Sequence, residues 1–266
     1  MEIEVGTFSD IVSALGIDSG SRCIALIGAG GKTSLMYALA ENLVGAGKTV
    51  ISTTSTKIFP PKPDQSPFLF LFADRFPGAD HIIHRIQLLR HITIGLKIDP
   101  NSGKVLGVSG EQIYSMLSWA DYVIFEADGA SGRPIKAPIE SEPIIPDFTD
   151  LVIPVIGLDS MFSLANQENV FRLDEFLRVT GLANGALITA QEIVKLFNHP
   201  DGALRNVPKN VQVAGFFNKF DKLGNFEILS DLARQILTKI NDPRFRSISS
   251  GSLKSKTGDF TRFNRC

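Results

Sequence analysis

The chain has 266 residues, 44% of them hydrophobic and 21% charged, and its 27 Lys and Arg against 28 Asp and Glu leave a net charge of −1. This composition supplies a sizeable core and gives no global reason to expect nucleic acid or a membrane surface as partner. Its two cysteines, Cys23 in an apolar run and Cys266 at the end, argue against a disulfide scaffold and fit a reducing cytosol.

The length suits a single domain over 1–266, with insertions near 58–110 and 130–190, better than two domains. The opening MEIEVGTFSD is acidic and lacks the apolar core of a leader, and no apolar run is long enough to span a bilayer. A cytoplasmic protein is expected.

In chain order, FSDIVSALGI predicts a short helix and CIALIG the first strand. A helix over LMYALAENLVGA follows, with Leu35, Leu39 and Leu43 at helical spacing. KTVISTT predicts a strand, IFPPKPDQSP a proline-dense loop and PFLFLFA a buried strand. HITIGLKIDPNSGKVLGV predicts a hairpin turning at Asp99–Gly103, EQIYSMLSW a helix, and ADYVIFEADGA a strand. Beyond the proline-rich GRPIKAPIESEPIIPDFTD, LVIPVIGL and VQVAGFF predict strands. Helices are predicted at 173–179, at 190–197 and in FEILSDLARQILTKI. Apolar runs alternating with helical segments predict an α/β fold with a mostly parallel sheet flanked by helices, and the strand, glycine loop GAGGKTS and helix after it make the expected fold P-loop NTPase-like.

Three segments carry chemistry, each at the carboxyl end of a predicted strand, where open α/β sheets bind ligands. In Gly28-Ala29-Gly30-Gly31-Lys32-Thr33-Ser34, glycines let backbone N–H groups close on phosphate and the next helix offers its positive end. Lys32 would neutralise terminal phosphate charge and the Thr33 hydroxyl would sit on Mg²⁺. Leu26 stands where the commoner motif has a glycine, which leaves the shorter G-x-x-G-K-T form. In Glu126-Ala127-Asp128-Gly129, Glu126 or Asp128 would hold Mg²⁺ or orient water, and the Gly129 N–H would reach the terminal phosphate. Asn218-Lys219-Phe220-Asp221 matches the N-K-x-D pattern that reads guanine, Asp221 accepting from the base and the Lys219 stem covering its face.

Secondary candidates surround these. Thr54, within Thr53–Lys57, could contact Mg²⁺ or phosphate, and Arg133 and Lys136 could clamp a second anion beside Glu140. The alternative for both groups is structural, a hydroxyl-rich strand end and a rigid surface connection. His81 and His84 lack a third ligand and read as a solvated helix face, Cys23 as core, and Cys266 as a tail residue or, less simply, a mobile thiol.

At GAGGKTSLMYALA, STTSTKI and EADGASGRPIKAPIESEPIIP the sequence resembles the YqeC family, accessory proteins ascribed to selenium-dependent molybdenum hydroxylases. The likeness continues through PVIGLDS, FRLDEFLRVTGL, LITAQEIV, HPDGALRNVP and FNKFD, nearly the whole chain. It implies nucleotide binding at Gly28, Gly30, Gly31, Lys32 and Thr33, with Glu126 and Asp128 in the same centre. The chain departs from the family at Ser131, where a basic residue is frequent, and at Phe171, where a His is. E-x-x-G together with N-K-x-D is also similar to the accessory GTPases of urease and hydrogenase.

The expected function is therefore that of a Mg²⁺-dependent NTP hydrolase, GTP favoured over ATP, serving a client hydroxylase or cofactor-maturation protein, with a homodimer as an open assembly. Two alternatives stand beside it. One is a small-acid ligase or kinase with a Mur-ligase-like P-loop; the other is a non-catalytic nucleotide-sensing scaffold.

Overall fold

Cys23, Ala25 and Ile27 of the first central strand are buried in one cluster, and Ile24 and Leu26 in another. Alternate residues of a strand point to opposite faces, so a strand buried on both must lie inside a sheet covered on both sides. The computed structural model of the protein describes residues 3–73, 78–254 and 259–265. Cys266 lies outside the described residues.

The strands in chain order are β1 (Ile3–Phe8), β2 (Cys23–Gly28), β3 (Val50–Thr54), β4 (Lys57–Ile58), β5 (Leu69–Leu71), β6 (His91–Gly95) and β7 (Val105–Leu106). They continue as β8 (Tyr122–Glu126), β9 (Ile135–Lys136), β10 (Leu151–Gly157), β11 (Val170–Phe171), β12 (Gln212–Asn218), β13 (Phe245–Gly251) and β14 (Phe260–Arg265). The helices are α1 (Ile11–Leu15), α2 (Lys32–Gly45), α3 (Ala79–Leu89), α4 (Gly110–Met116), α5 (Leu173–Thr180), α6 (Ala190–Asn198), α7 (Phe220–Leu223) and α8 (Phe226–Lys239).

Ten strands form one sheet in the order β1-β14-β13-β12-β10-β2-β8-β3-β6-β5. All neighbours from β13 to β5 are parallel, and β14 and β1 add two antiparallel strands at one edge. The fold is thus α/β with a large, mostly parallel sheet flanked by helices. Leu35, Met36, Leu39, Ala40 and Leu43 of α2 share a buried cluster with Ile24 and Leu26, each large side chain contributing roughly 1.5–3 kcal/mol. The opposite face is covered by residues of α3, α4, α5, α6 and α8. Among the described residues no helix is long and apolar enough to cross a membrane.

Two elements differ from the sequence expectation. Only the second half of the predicted hairpin turns back on itself: Leu96, Leu106 and Asp99 donate to Leu106, Lys97 and Lys104 carbonyls, whereas β6 enters the main sheet parallel to β3 and β5. PFLFLFA yields β5 at the sheet edge, where its residues are half-buried instead of buried, because an edge strand has a neighbour on one side only.

Candidate functional site

The glycine loop joins β2 to α2 with its glycines in backbone conformations that L residues avoid: φ is 87° at Gly28, 88° at Gly30 and 127° at Gly31. Space is as restrictive as torsion. A Cβ on Gly30 would lie 2.1 Å from the Gly157 nitrogen, and one on Gly31 would lie 2.3 Å from Asn218 Nδ2. The loop's N–H groups are not all open, as the motif alone suggests. Gly28 N–H donates to Asp128 Oδ2 (3.0 Å), Ala29 to the Val155 carbonyl (2.9 Å) and Gly30 to the Arg133 carbonyl (3.0 Å).

The open donors are those at the start of α2. Its first helical bond runs from Leu35 N–H to the Gly31 carbonyl, and Gly31 supplies no side-chain cap, which leaves the N–H groups of residues 31–34 without an intrahelical acceptor. By contrast, Ser109 with Gln112 and Thr189 with Glu192 close the starts of α4 and α6 with capping boxes. An uncapped helix start of 14 residues is a ready anion site.

Lys32 is 4% exposed and donates from Nζ to the Gly28 carbonyl at 2.6 Å, with Asp128 Oδ1 at 3.2 Å and Glu126 Oε2 at 3.8 Å. Thr33 Oγ1 donates to Glu126 Oε1 at 2.5 Å. Burial raises the Glu126 pKa, opposed by the Lys32 charge and the Thr33 hydrogen bond. Asp128, behind Lys32, also meets Lys136 Nζ at 3.0 Å. Lys136 donates in turn to the Gly129 carbonyl (2.7 Å) and Glu142 Oε2 (2.8 Å), and Arg172 grips Glu142 through two bonds of 2.8 Å. Phe171 packs its ring 5.6 Å from Lys136 Nζ and 5.1 Å from the Arg172 guanidinium.

These groups border a cleft of about 430 Å³. Its walls carry five cationic side chains, Lys32, Lys57, Lys104, Arg133 and Lys219, against the single carboxylate of Glu126. Asp128, Asp99 and Asp159 pair with Lys32, Lys57 and Lys219 from outside that lining, so the surplus positive charge of the cleft rests on Lys104 and Arg133. The cleft brings together Gly30, Gly31, Lys32, Thr33, Ser34, Glu126, Gly129 and Lys219. A larger groove of about 730 Å³ between α6 and α8 touches none of them.

Other sequence candidates sit elsewhere. The hydroxyls of Thr53, Thr54 and Ser55 donate to the carbonyls of Ile94, Glu126 and Ile144, so Thr56 and Lys57 are the members of that segment lining the cleft. Asn218 holds the loop from outside, its Nδ2 donating to the Gly30 carbonyl at 2.9 Å. Lys219, at φ 66°, pairs with Asp159 at 2.5 Å. Asp221 is exposed at the start of α7 and accepts from Ser252 Oγ at 2.7 Å, outside the cleft lining. Lys136 is a buried member of the ion-pair network, and Arg133 Nε donates to the Gln167 carbonyl at 2.8 Å. Glu140, His81 and His84 are exposed. Cys23 is buried, which pushes its thiol up to about 12. Sequence reasoning missed Asp159, Glu142, Arg172, Lys104 and Phe59. A strand-end rule would have found Asp159, just past β10; the rest follow no motif.

As a metal ligand set, Thr33 and Glu126 offer two hard oxygen donors in contact. Among the described residues no group of three or more His, Cys, Asp or Glu could hold an ion unaided. Two hard oxygen donors are the kind of ligand that Mg²⁺ takes, with water and phosphate oxygens as the rest of its shell.

The sequence model of the YqeC protein family matches residues 24–174, more than half of the chain. The Escherichia coli (strain K12) protein described as "Uncharacterized protein YqeC" is 35% identical over 230 residues, covering 84% of this chain and 88% of the relative. No solved structure matches. The glycine loop, the carboxylates Glu126 and Asp128 and the Lys136–Glu142–Arg172 network all fall inside the matched region, and the chain belongs to the YqeC family.

Proposed function

We propose that the chain is a P-loop NTPase-like protein that binds a Mg²⁺–nucleoside triphosphate, GTP or ATP, and hydrolyses it. The observation that carries this reading is the uncapped start of α2, opening beside buried Lys32, Thr33 and Glu126 into a cation-lined cleft. The N–H groups of residues 31–34 take phosphate oxygens, and Lys32 offsets charge that builds on the terminal phosphate. Thr33 and Glu126 would hold Mg²⁺, which would supply positive charge to offset that of the phosphates. Glu126 alternatively orients the attacking water; Asp128, pinned behind Lys32, positions that lysine. Lys219 guides the base toward Asp221, which favours GTP if the base reaches that carboxylate.

The client, a selenium-dependent molybdenum hydroxylase or a protein that matures it, is proposed on the sequence resemblance alone. The test is calorimetry with non-hydrolysable GTP and ATP analogues in Mg²⁺, together with phosphate release. Lys32→Ala is expected to lose at least tenfold in affinity and nearly all turnover. Because Lys32 is buried among carboxylates, Thr33→Val serves as a milder companion, and circular dichroism checks that both fold. Wild-type affinity and turnover in both folded variants would refute the site. Asp221→Asn tests the base: an unchanged GTP-to-ATP ranking removes the guanine assignment.

A further inference from the structure

The wall of the cleft away from Lys219 differs in make-up from the glycine loop, since it carries an exposed aromatic ring beside a lysine. Lys219 follows β12 and Phe59 follows β4, beyond β3, and the sheet order β12-β10-β2-β8-β3 separates those two ends by four strand spacings. At about 4.8 Å per spacing that is roughly 19 Å, with the start of α2 between them. A nucleotide whose base lies toward Lys219 therefore leaves the Phe59 side of the cleft free.

On that side, Phe59 presents a ring that is 66% exposed and lines the cleft. The Lys104 ammonium sits 4.8 Å from its centroid. Among the described residues Lys104 has no carboxylate partner, unlike Lys57, which pairs with Asp99 at 2.9 Å. Phe59 and Lys104 both line the cleft that Glu126 also borders. The pair is held at fixed register. Ile58 faces Val105 across the β4–β7 ladder, both buried, and Phe59 and Lys104 are the next residues on each strand. Gly107 anchors this ladder to the end of β3, since a Cβ there would come within 2.4 Å of the Ser55 carbonyl carbon.

A single exposed aromatic on a convex surface means little. One on a cleft wall, beside a half-buried cation that has no carboxylate partner among the described residues, has the make-up of a subsite for a flat, anionic molecule. We propose that Phe59 and Lys104 form a second-ligand subsite for an anionic molecule with a planar conjugated ring. The ring stacks on Phe59, and its carboxylate or phosphate pairs with the Lys104 ammonium. Calling this ligand the second one rests on the nucleotide reading; the subsite itself does not.

The test uses the full chain and 2-naphthoate as a fluorescent probe, titrated first alone and then with saturating Mg²⁺–GDP. Cyclohexanecarboxylate, equally charged but without a π face, is the competitor control. Wild-type protein is expected to bind 2-naphthoate at least fivefold more tightly than the control, with and without Mg²⁺–GDP. Phe59→Ala and Lys104→Gln, both changes at the cleft surface, are each expected to weaken it at least fivefold. Equal binding of the two carboxylates, or a Phe59→Ala protein that binds 2-naphthoate like wild type, would overturn the subsite. Displacement of 2-naphthoate by Mg²⁺–GDP would overturn its separateness, because the wall would then serve the nucleotide. Absence of any Mg²⁺–GDP binding would refute the nucleotide reading, while the probe titrated alone still decides the subsite.

Discussion

Lys136 offers a sharp test of how the site is held together. Its side chain is 1% exposed, and its ammonium lies between Asp128 Oδ2 at 3.0 Å and Glu142 Oε2 at 2.8 Å, with a hydrogen bond to the Gly129 carbonyl at 2.7 Å. Lys136→Met keeps the stem volume and deletes the charge. Removing one partner of a buried ion pair costs about 3–5 kcal/mol, because the abandoned charge stays buried. Here each carboxylate keeps a second cation, Lys32 for Asp128 and Arg172 for Glu142, so the lower end applies. The unpaired Gly129 carbonyl adds roughly 1 kcal/mol. The expected loss is about 3–4 kcal/mol, read as a lower urea midpoint at unchanged slope. Glu142→Gln in the same background should restore part of it, with a coupling of at least about 1 kcal/mol. A Lys136→Met loss below about 1 kcal/mol, or strict additivity with Glu142→Gln, would refute the claim that these charges act as one buried network.

Two further outcomes follow from local geometry. Gly30→Ala should destabilise the protein by at least about 2 kcal/mol, since its Cβ meets backbone at Gly157 and its φ is 88°, whereas Gly129→Ala, with nothing within 4 Å, should stay within about 1 kcal/mol. Equal urea midpoints for the two variants would contradict the close loop–strand contact. His91 is held neutral, its pKa pushed down to about 4 by burial beside Ser52 Oγ at 2.9 Å. The unfolded chain takes up this proton near pH 6.5, so the contribution is complete above that pH and is lost as pH falls toward 4; it amounts to about 3 kcal/mol. His91→Gln should flatten that part of the stability–pH curve, and a wild-type curve unchanged by the substitution would contradict it.

The strands β2, β8, β10 and β12 were legible because each is an apolar run ending in turn or polar residues, the pattern of a strand covered on both faces, and β3 because four of the five residues of VISTT are β-branched. β13 was not. Its sequence FRSISSG reads as polar, yet it is buried because serine hydroxyls find main-chain acceptors: Ser249 donates to the Ala14 carbonyl at 2.6 Å and Ser250 to that of Phe217 at 2.9 Å. Hydropathy cannot anticipate such bonds, since their acceptors come from remote segments. The candidate site divides the same way. Lys32, Thr33 and Glu126 announced themselves through local spelling, whereas Lys219–Asp159 and Arg172–Glu142 pair across 60 and 30 residues and have no sequence period to betray them. Asn218 was legible as part of a motif, but its bond to the Gly30 carbonyl was not.

The network also explains why one aspartate is flanked by two lysines. The glycine loop is fixed from three sides, by Asp128 at Gly28, β10 at Ala29 and the proline-rich segment at Gly30, while Asn218 holds the Gly30 carbonyl. Its open N–H groups therefore stand ready without rearrangement, which keeps the ordering cost of capturing an anion low. The movable member is Lys32, whose ammonium rests on the Gly28 carbonyl and against Asp128. In the proposed reaction it turns from these toward phosphate, and Asp128 would be left as a buried unpaired charge were Lys136 not within 3.0 Å. Lys136 thus makes the departure of Lys32 affordable. Lys136→Met should accordingly weaken Mg²⁺–nucleotide binding although Lys136 is not among the cleft-lining residues, and the loss should shrink when Asp128→Asn removes the charge that Lys32 would otherwise abandon.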